Sequence, residues 1–267
     1  MGTRCLGRPV TRAADERSTY PGDATARGDA TARGDATARG DATVRPAQRL
    51  EPADRRVGIL GGTFDPVHHG HLVVAEQVRE ALGLDRIVFV PAALPPHKLD
   101  EDLAPAVDRV AMVELAIAGN PALAVSQIEL RRKGPSFTAD TLGELADEAA
   151  RQGVARDFYF ILSAEALAGF RSWHEPERLL QLARLVVVPR PGAPLPDAAA
   201  LEAILPGGAA LVSRVECVAT TLVAYSSSDV RLRAAEGHSI RYLVPPAVEA
   251  YIRDHGLYRS TNPRRTA

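Results

Sequence analysis

From Arg56 onward, short wholly apolar runs alternate with longer stretches whose apolar positions recur every three or four residues. Arg56–Leu60 ends in glycines and reads as a buried strand. His69–Leu82 places Leu72, Ala75, Val78 and Leu82 on one helical face, and Gly83 supplies the stop. The same reading predicts strands at Arg86–Pro91, Asp157–Leu162 and Arg184–Pro189, an extended segment at Ala122–Leu130, and a short strand or pair at Leu211–Val218. Helices are predicted at Pro105–Ala118, Thr138–Gln152, Glu175–Ala183, Ser228–Glu236 and Pro245–His255. Strands that are apolar throughout and alternate with helices predict an α/β fold: a doubly wound parallel sheet with helices on both faces. One domain is expected over residues 56–259, with Pro189–Pro196 as a surface loop and 260–267 as a disordered tail.

The first 55 residues lack this pattern. Gly22–Arg27, Gly28–Arg33 and Gly34–Arg39 are identical copies of Gly-Asp-Ala-Thr-Ala-Arg, and Gly40–Arg45 is a fourth with Val44 in place of alanine. A hexapeptide β-helix needs a recurring large apolar residue, which is missing. The segment buries too little surface to offset chain entropy and is expected to be disordered. Tandem identity points to duplicated DNA, so one expectation is a start codon further downstream. Peptides covering residues 10–45 of the native protein would refute that.

Composition narrows the classes. The net charge of −1 over 267 residues disfavours a broad nucleic-acid or membrane surface. Cys5 and Cys217, alone and far apart, make neither a zinc site nor a disulfide framework. No apolar stretch approaches the roughly 18–20 residues of a membrane helix, and the N-terminus lacks a signal-peptide core. A cytoplasmic protein is expected, and a homo-oligomer is left open.

The densest chemistry follows the first strand, in Gly61-Gly62-Thr63-Phe64-Asp65-Pro66-Val67-His68-His69-Gly70-His71-Leu72. In open α/β sheets ligands bind at the carboxyl ends of strands. Gly61 and Gly62 allow a tight turn and close approach of a phosphate. The next helix offers its N–H groups and positive dipole end to an anion, and His68 and His71 sit at its mouth. Neither the Gly-x-Gly-x-x-Gly fingerprint nor a P-loop is present. Metal ligation by His68, His69 and His71 lacks a supporting cysteine or carboxylate pattern. A glycine turn with incidental histidines is the bland alternative.

These residues resemble the signature of the nucleotidyltransferase superfamily with a His-x-Gly-His motif, and most closely that of bacterial nicotinate-nucleotide adenylyltransferases. Pro95-Pro96-His97-Lys98, Pro135-Ser136-Phe137-Thr138-Ala139-Asp140-Thr141-Leu142, Trp173-His174, Arg190-Pro191-Gly192 and Tyr225–Arg231 are similar to later family segments, in order, from about Val57 to Tyr258. The chain departs at Ser163-Ala164-Glu165, where the family has Gly-Ala-Asp, and at Tyr225 and Ser228, which replace isoleucine and threonine.

The resemblance implies a Rossmann-like fold and attack by a mononucleotide phosphate on the α-phosphorus of ATP, with pyrophosphate leaving. The nucleophile is already ionised, so positioning and charge neutralisation suffice. It implies that His68, His71 and Arg231 act on the phosphates. Gly61, Gly62, Thr63, Phe64, Lys98, Glu165, Ser226, Ser227 and Ser228 would bind ATP, and Thr138 and Trp173 the nicotinate nucleotide. Plainer readings stand beside these: a solvated Lys98, a capped surface helix at Ser226–Arg231, a helix cap at Thr138, a core or interface Trp173. Asp65 reads as a turn residue. Mg²⁺ is expected with ATP, held by phosphate oxygens and water, and no protein ligand is assigned. The alternatives are a relative using nicotinamide mononucleotide or another phosphate acceptor, and a non-catalytic nucleotide-binding homologue.

Overall fold

The computed structural model describes residues 50–93, 103–132 and 134–259. The hexapeptide repeats, Lys98 and the 260–267 tail lie outside these residues. Six strands form one parallel sheet: β1 (Arg56–Gly62), β2 (Arg86–Pro91), β3 (Leu123–Val125), β4 (Asp157–Ser163), β5 (Ala183–Val188) and β6 (Val215–Cys217). Their order is β3-β2-β1-β4-β5-β6. The chain winds outward from β1 through β2 to β3, then returns to start again at β4. β1 and β4 are neighbours whose connections leave in opposite directions, so a crevice opens at their carboxyl ends.

The helices are α1 (His69–Leu82), α2 (Ala106–Ile117), α3 (Thr138–Arg151), α4 (Ala164–Ala168), α5 (Pro176–Leu182), α6 (Ala198–Ile204), α7 (Ser227–Ala235) and α8 (Pro246–Asp254). Alternation along each strand divides the core between the two faces. Leu60, Ile87, Phe89, Tyr159, Ile161 and Val186 pack with α1, α2, α7 and α8. Val57, Ile59, Val88, Phe158, Phe160, Leu185 and Val187 pack with α3, α5 and α6. This two-sided burial is why the strands read as unbroken apolar runs.

The main elements fall where the apolar pattern puts them, and Gly83 ends α1 in the left-handed conformation at φ 58°. Two segments differ. Of Ala122–Leu130 only Leu123–Val125 is strand, and Glu129–Arg131 is a 3-10 turn that buries Glu129. Of Leu211–Val218 only Val215–Cys217 is strand, preceded by a 3-10 turn over Gly208–Arg214. β3 and β6 are the two edges, where one partner supports only a short ladder. α4 and α6 fall short of the two turns over which a helical period can be recognised.

Candidate active site

The crevice encloses about 420 Å³ between the ends of β1, β4 and β5 and the start of α1. Gly61, Gly62, Thr63, His68, His71, Thr138 and Trp173, all singled out from the sequence, line it. It is also walled by Arg190 and Tyr225.

Phe64 is a support beneath this wall. Its ring is 2% exposed, packs edge-on against His71 at 5.1 Å and tilts against Phe89 at 5.4 Å. Its backbone is left-handed at φ 50°, which costs a bulky residue roughly 1–2 kcal/mol; burial of the ring offsets that. A Cβ on Gly62 would lie 3.1 Å from the Phe64 ring and press on it.

The start of α1 differs in one respect from the reading of its N–H groups as the anion site. His69 N–H donates to Leu243 O at 3.0 Å, Gly70 N–H to His68 Nδ1 at 3.1 Å, and His71 N–H to His68 O at 3.0 Å. His68 N–H in turn donates to His71 Nδ1 at 3.2 Å, completing a reciprocal capping box. Both Nδ1 atoms therefore accept, and each neutral ring carries its proton on Nε2. The helix end uses its own donors, and two parallel-leaning imidazoles, 3.8 Å apart, present Nε2–H groups in their place.

Electrostatics hold the rings neutral. Burial, then the positive charge of Arg190, then His69, pushes His68 down to about 4, with Asp229 opposing. Burial, His68 and Arg190 hold His71 well below the usual histidine value. A phosphate thus meets neutral donors, with Arg190 as the cation at the wall. One consequence concerns stability. Between about pH 6.5 and 4 the unfolded chain binds a proton on His68 that the folded chain does not. Stability is then complete above the upper value and falls as pH drops, by roughly 3 kcal/mol for a shift of this size. His68→Asn, which keeps a capping acceptor, is expected to flatten the dependence of the thermal midpoint on pH across that window. An unchanged slope in the variant would reject the assignment.

Ser226, Ser227, Ser228 and Arg231 are not among the cavity-lining residues. Ser226 caps α7 in a reciprocal box with Asp229. Ser227 Oγ donates to Pro66 O at 2.8 Å, and Arg231 donates to Asp65 O at 2.8 Å and to Ser228 Oγ at 3.2 Å. They tie the start of α7 to the turn that precedes His68. Tyr225, just before them, does reach the wall: its ring lies 5.3 Å from His68 and its hydroxyl donates to Leu243 O at 3.0 Å. Leu243 O thereby holds both α1 and Tyr225.

Glu165 is exposed in the first turn of α4 and pairs with Arg190 at 3.4 Å. At 48% and 70% side-chain exposure that pair is screened by water and contributes little by itself. At the far end, Trp173 packs against Phe160 and Phe170. Thr138 is the first residue of α3, not its cap, and its hydroxyl makes no hydrogen bond to the described residues.

Among the described residues one group of three could hold a metal ion: Asp140, His174 and Glu175. Arg178 already lies 2.7 Å from Glu175 and 3.6 Å from Asp140.

In the sequence Arg190 stands out only as part of a matching segment, Tyr225 as a departure from the family motif, and Gly70 only within its motif. A cationic side chain directly after the predicted strand Arg184–Pro189 is the available signal for Arg190.

The family model described as "Cytidylyltransferase-like" matches residues 59–233. A protein of Thermomicrobium roseum is 44% identical over 205 residues, covering 77% of this chain and 92% of the relative. One from a Roseiflexus species is 48% identical over 203 residues (76% and 98%), and one from Thermus thermophilus 47% over 204 (76% and 100%). Each is named "Probable nicotinate-nucleotide adenylyltransferase". A Plasmodium falciparum nicotinic acid mononucleotide adenylyltransferase, solved in complex with NaAD, superimposes with a TM-score of 0.61 at 20% identity, covering 76% of this chain and 97% of its own. That likeness carries the fold. The sequence relatives carry the family: the chain belongs to the cytidylyltransferase-like proteins and, within them, to the nicotinate-nucleotide adenylyltransferases.

Proposed function

We propose that the protein transfers AMP from ATP to nicotinate mononucleotide, releasing pyrophosphate and forming nicotinate adenine dinucleotide, with Mg²⁺ entering on the ATP. The observation that carries the reading is the locked histidine pair. Two neutral imidazoles, each with Nδ1 engaged and Nε2–H left to donate, line a crevice at the sheet's switch point together with the Arg190 cation. Such a wall suits charge that develops on a phosphoryl group in an in-line displacement. The ionised acceptor phosphate is the nucleophile, so the histidines need not take up a proton. Family membership supplies the acceptor class, and a P. falciparum relative of this fold was solved with NaAD. Trp173 offers an aromatic face at the other end of the crevice, and Thr138 a hydroxyl that no described residue engages. We place both against the pyridine ring and its carboxylate. Arg231 and Ser226–Ser228 would act on phosphate from behind the Asp65–Pro66 turn, and Gly61, Gly62 and Thr63 would allow the backbone to approach.

Mg²⁺ would be coordinated by phosphate oxygens and water. Among the described residues no helix is long and apolar enough to cross a membrane, and we place the reaction in the cytoplasm.

The test is pyrophosphate release from ATP and Mg²⁺ with each candidate acceptor in turn. Release is expected with nicotinate mononucleotide, and at least about tenfold less efficiently with the amide, which cannot form a charge-assisted bond at Thr138. Absence of release with every acceptor would reject the activity, and equal efficiency with acid and amide would remove the selectivity.

A further inference from the structure

Arg109, in the first turn of α2, is the largest fully buried side chain among the described residues, at 2% exposure. A buried guanidinium costs several kcal/mol unless its donors are used. Here Nε donates to Ala104 O at 3.0 Å, Nη1 to Thr63 O and to Ala92 O at 2.8 Å each, and Nη2 lies 3.5 Å from Ala93 O. Thr63 and Ala92 both line the crevice, one just past the end of β1 and the other just past β2. The strand ends are themselves joined by Ala92 N–H to Gly62 O at 2.9 Å. The charge is balanced nearby by Asp65, 1% exposed, whose Oδ1 accepts from Tyr258 at 2.5 Å and from Ala104 N–H at 3.3 Å.

An apolar residue of similar volume would fill this space but take the guanidinium donors away from four carbonyls. A planar fork reaches three chain segments at once, which an ammonium does not. We propose that Arg109 is a positioning residue for the transfer reaction: it touches no substrate, but it sets Thr63 and Ala92 in the crevice wall against the histidine pair. The proposal rests on the adenylyltransferase reading given above. A displacement of about 1 Å in such a wall can lower a rate by roughly a hundredfold.

The test compares Arg109→Lys and Arg109→Gln with Val113→Ala, a fully buried position on the same helix whose side chain has no donor for these carbonyls. Pyrophosphate release is measured at a temperature where circular dichroism shows each variant folded. Arg109→Lys is expected to lower kcat/KM for ATP about 30-fold, at least fivefold of it in ATP affinity, and Arg109→Gln to do so similarly. Val113→Ala should stay within about threefold of wild type even if it melts as early. Equal losses in Val113→Ala, or activity of folded Arg109→Lys within threefold of wild type, would overturn the proposal. So would failure of both Arg109 variants to fold, which would make the guanidinium a folding element only. If wild type releases no pyrophosphate, the activity reading fails separately. ATP titration then decides: a fivefold weaker affinity in the folded variant supports the positioning role, and equal affinity overturns it.

Discussion

His71→Ala is expected to lower turnover by more than about 100-fold, the scale on which one preorganised donor to a developing charge is lost. The substitution removes the Nε2–H left to donate on a ring that lines the crevice. It also removes the Nδ1 acceptor of the His68 N–H, so the neighbouring ring loses half of its capping box. Because burial and Arg190 keep His71 neutral, the contribution is that of a hydrogen-bond donor and not of a titrating acid. Activity should therefore vary little between about pH 7 and 8.5. His71→Asn keeps one amide donor and should retain more activity than alanine. Steady-state pyrophosphate release over that pH range checks both points. A fall of only a few-fold in His71→Ala would move the role to another group. A steep rise in activity on acidification would contradict the neutral ring.

Gly70→Ala is the second large effect, with kcat/KM expected to fall about 100-fold while the fold holds. A Cβ at this position would lie 2.9 Å from both Cε1 and Nδ1 of His68 and 3.3 Å from Val223. The ring cannot stay, and its bond from the Gly70 N–H breaks as it moves. Alanine is otherwise better in a helix than glycine by about 1 kcal/mol, so the thermal midpoint should change little while the donor array is displaced. A crystal structure or an NMR titration of the His68 ring would show the movement directly. Full activity in Gly70→Ala would mean that His68 has room the present packing denies it. The glycine between the histidines is thus required by the ring above it, and not by a left-handed backbone.

These two expectations divide what was legible from what was not. The residues that gather in the crevice were readable because they are local: Gly61, Gly62, Thr63, His68 and His71 lie within one strand–turn–helix unit. Thr138 and Trp173 also line the crevice, and they came from segments matched in order along the chain. The placement of Ser226, Ser227, Ser228 and Arg231 was not readable. The Ser227 hydroxyl and the Arg231 guanidinium turn toward the Asp65–Pro66 segment, 161 and 166 residues away in sequence, while Ser226 bonds to Asp229 and Ser228 to Arg231. The Glu165 departure looked like a change in a nucleotide contact, and the fold pairs it with Arg190, 25 residues on.

By itself the sequence determined the alternation of strands and helices, the parallel sheet they form, and the position of a glycine turn with histidines at the mouth of a helix. Each follows from periodicity or from chemistry within a few residues. Only the tertiary structure decided the protonation of those histidines, the engagement of the helix N–H groups, and the use of Arg109 as a clamp. These depend on what is brought within 3 Å by chain return: Leu243 onto His69, Arg109 onto Thr63 from 46 residues away, and Tyr258 onto Asp65 from 193. Burial sets the charge of a side chain, and burial is a property of the packed molecule that no local pattern of apolar and polar positions contains.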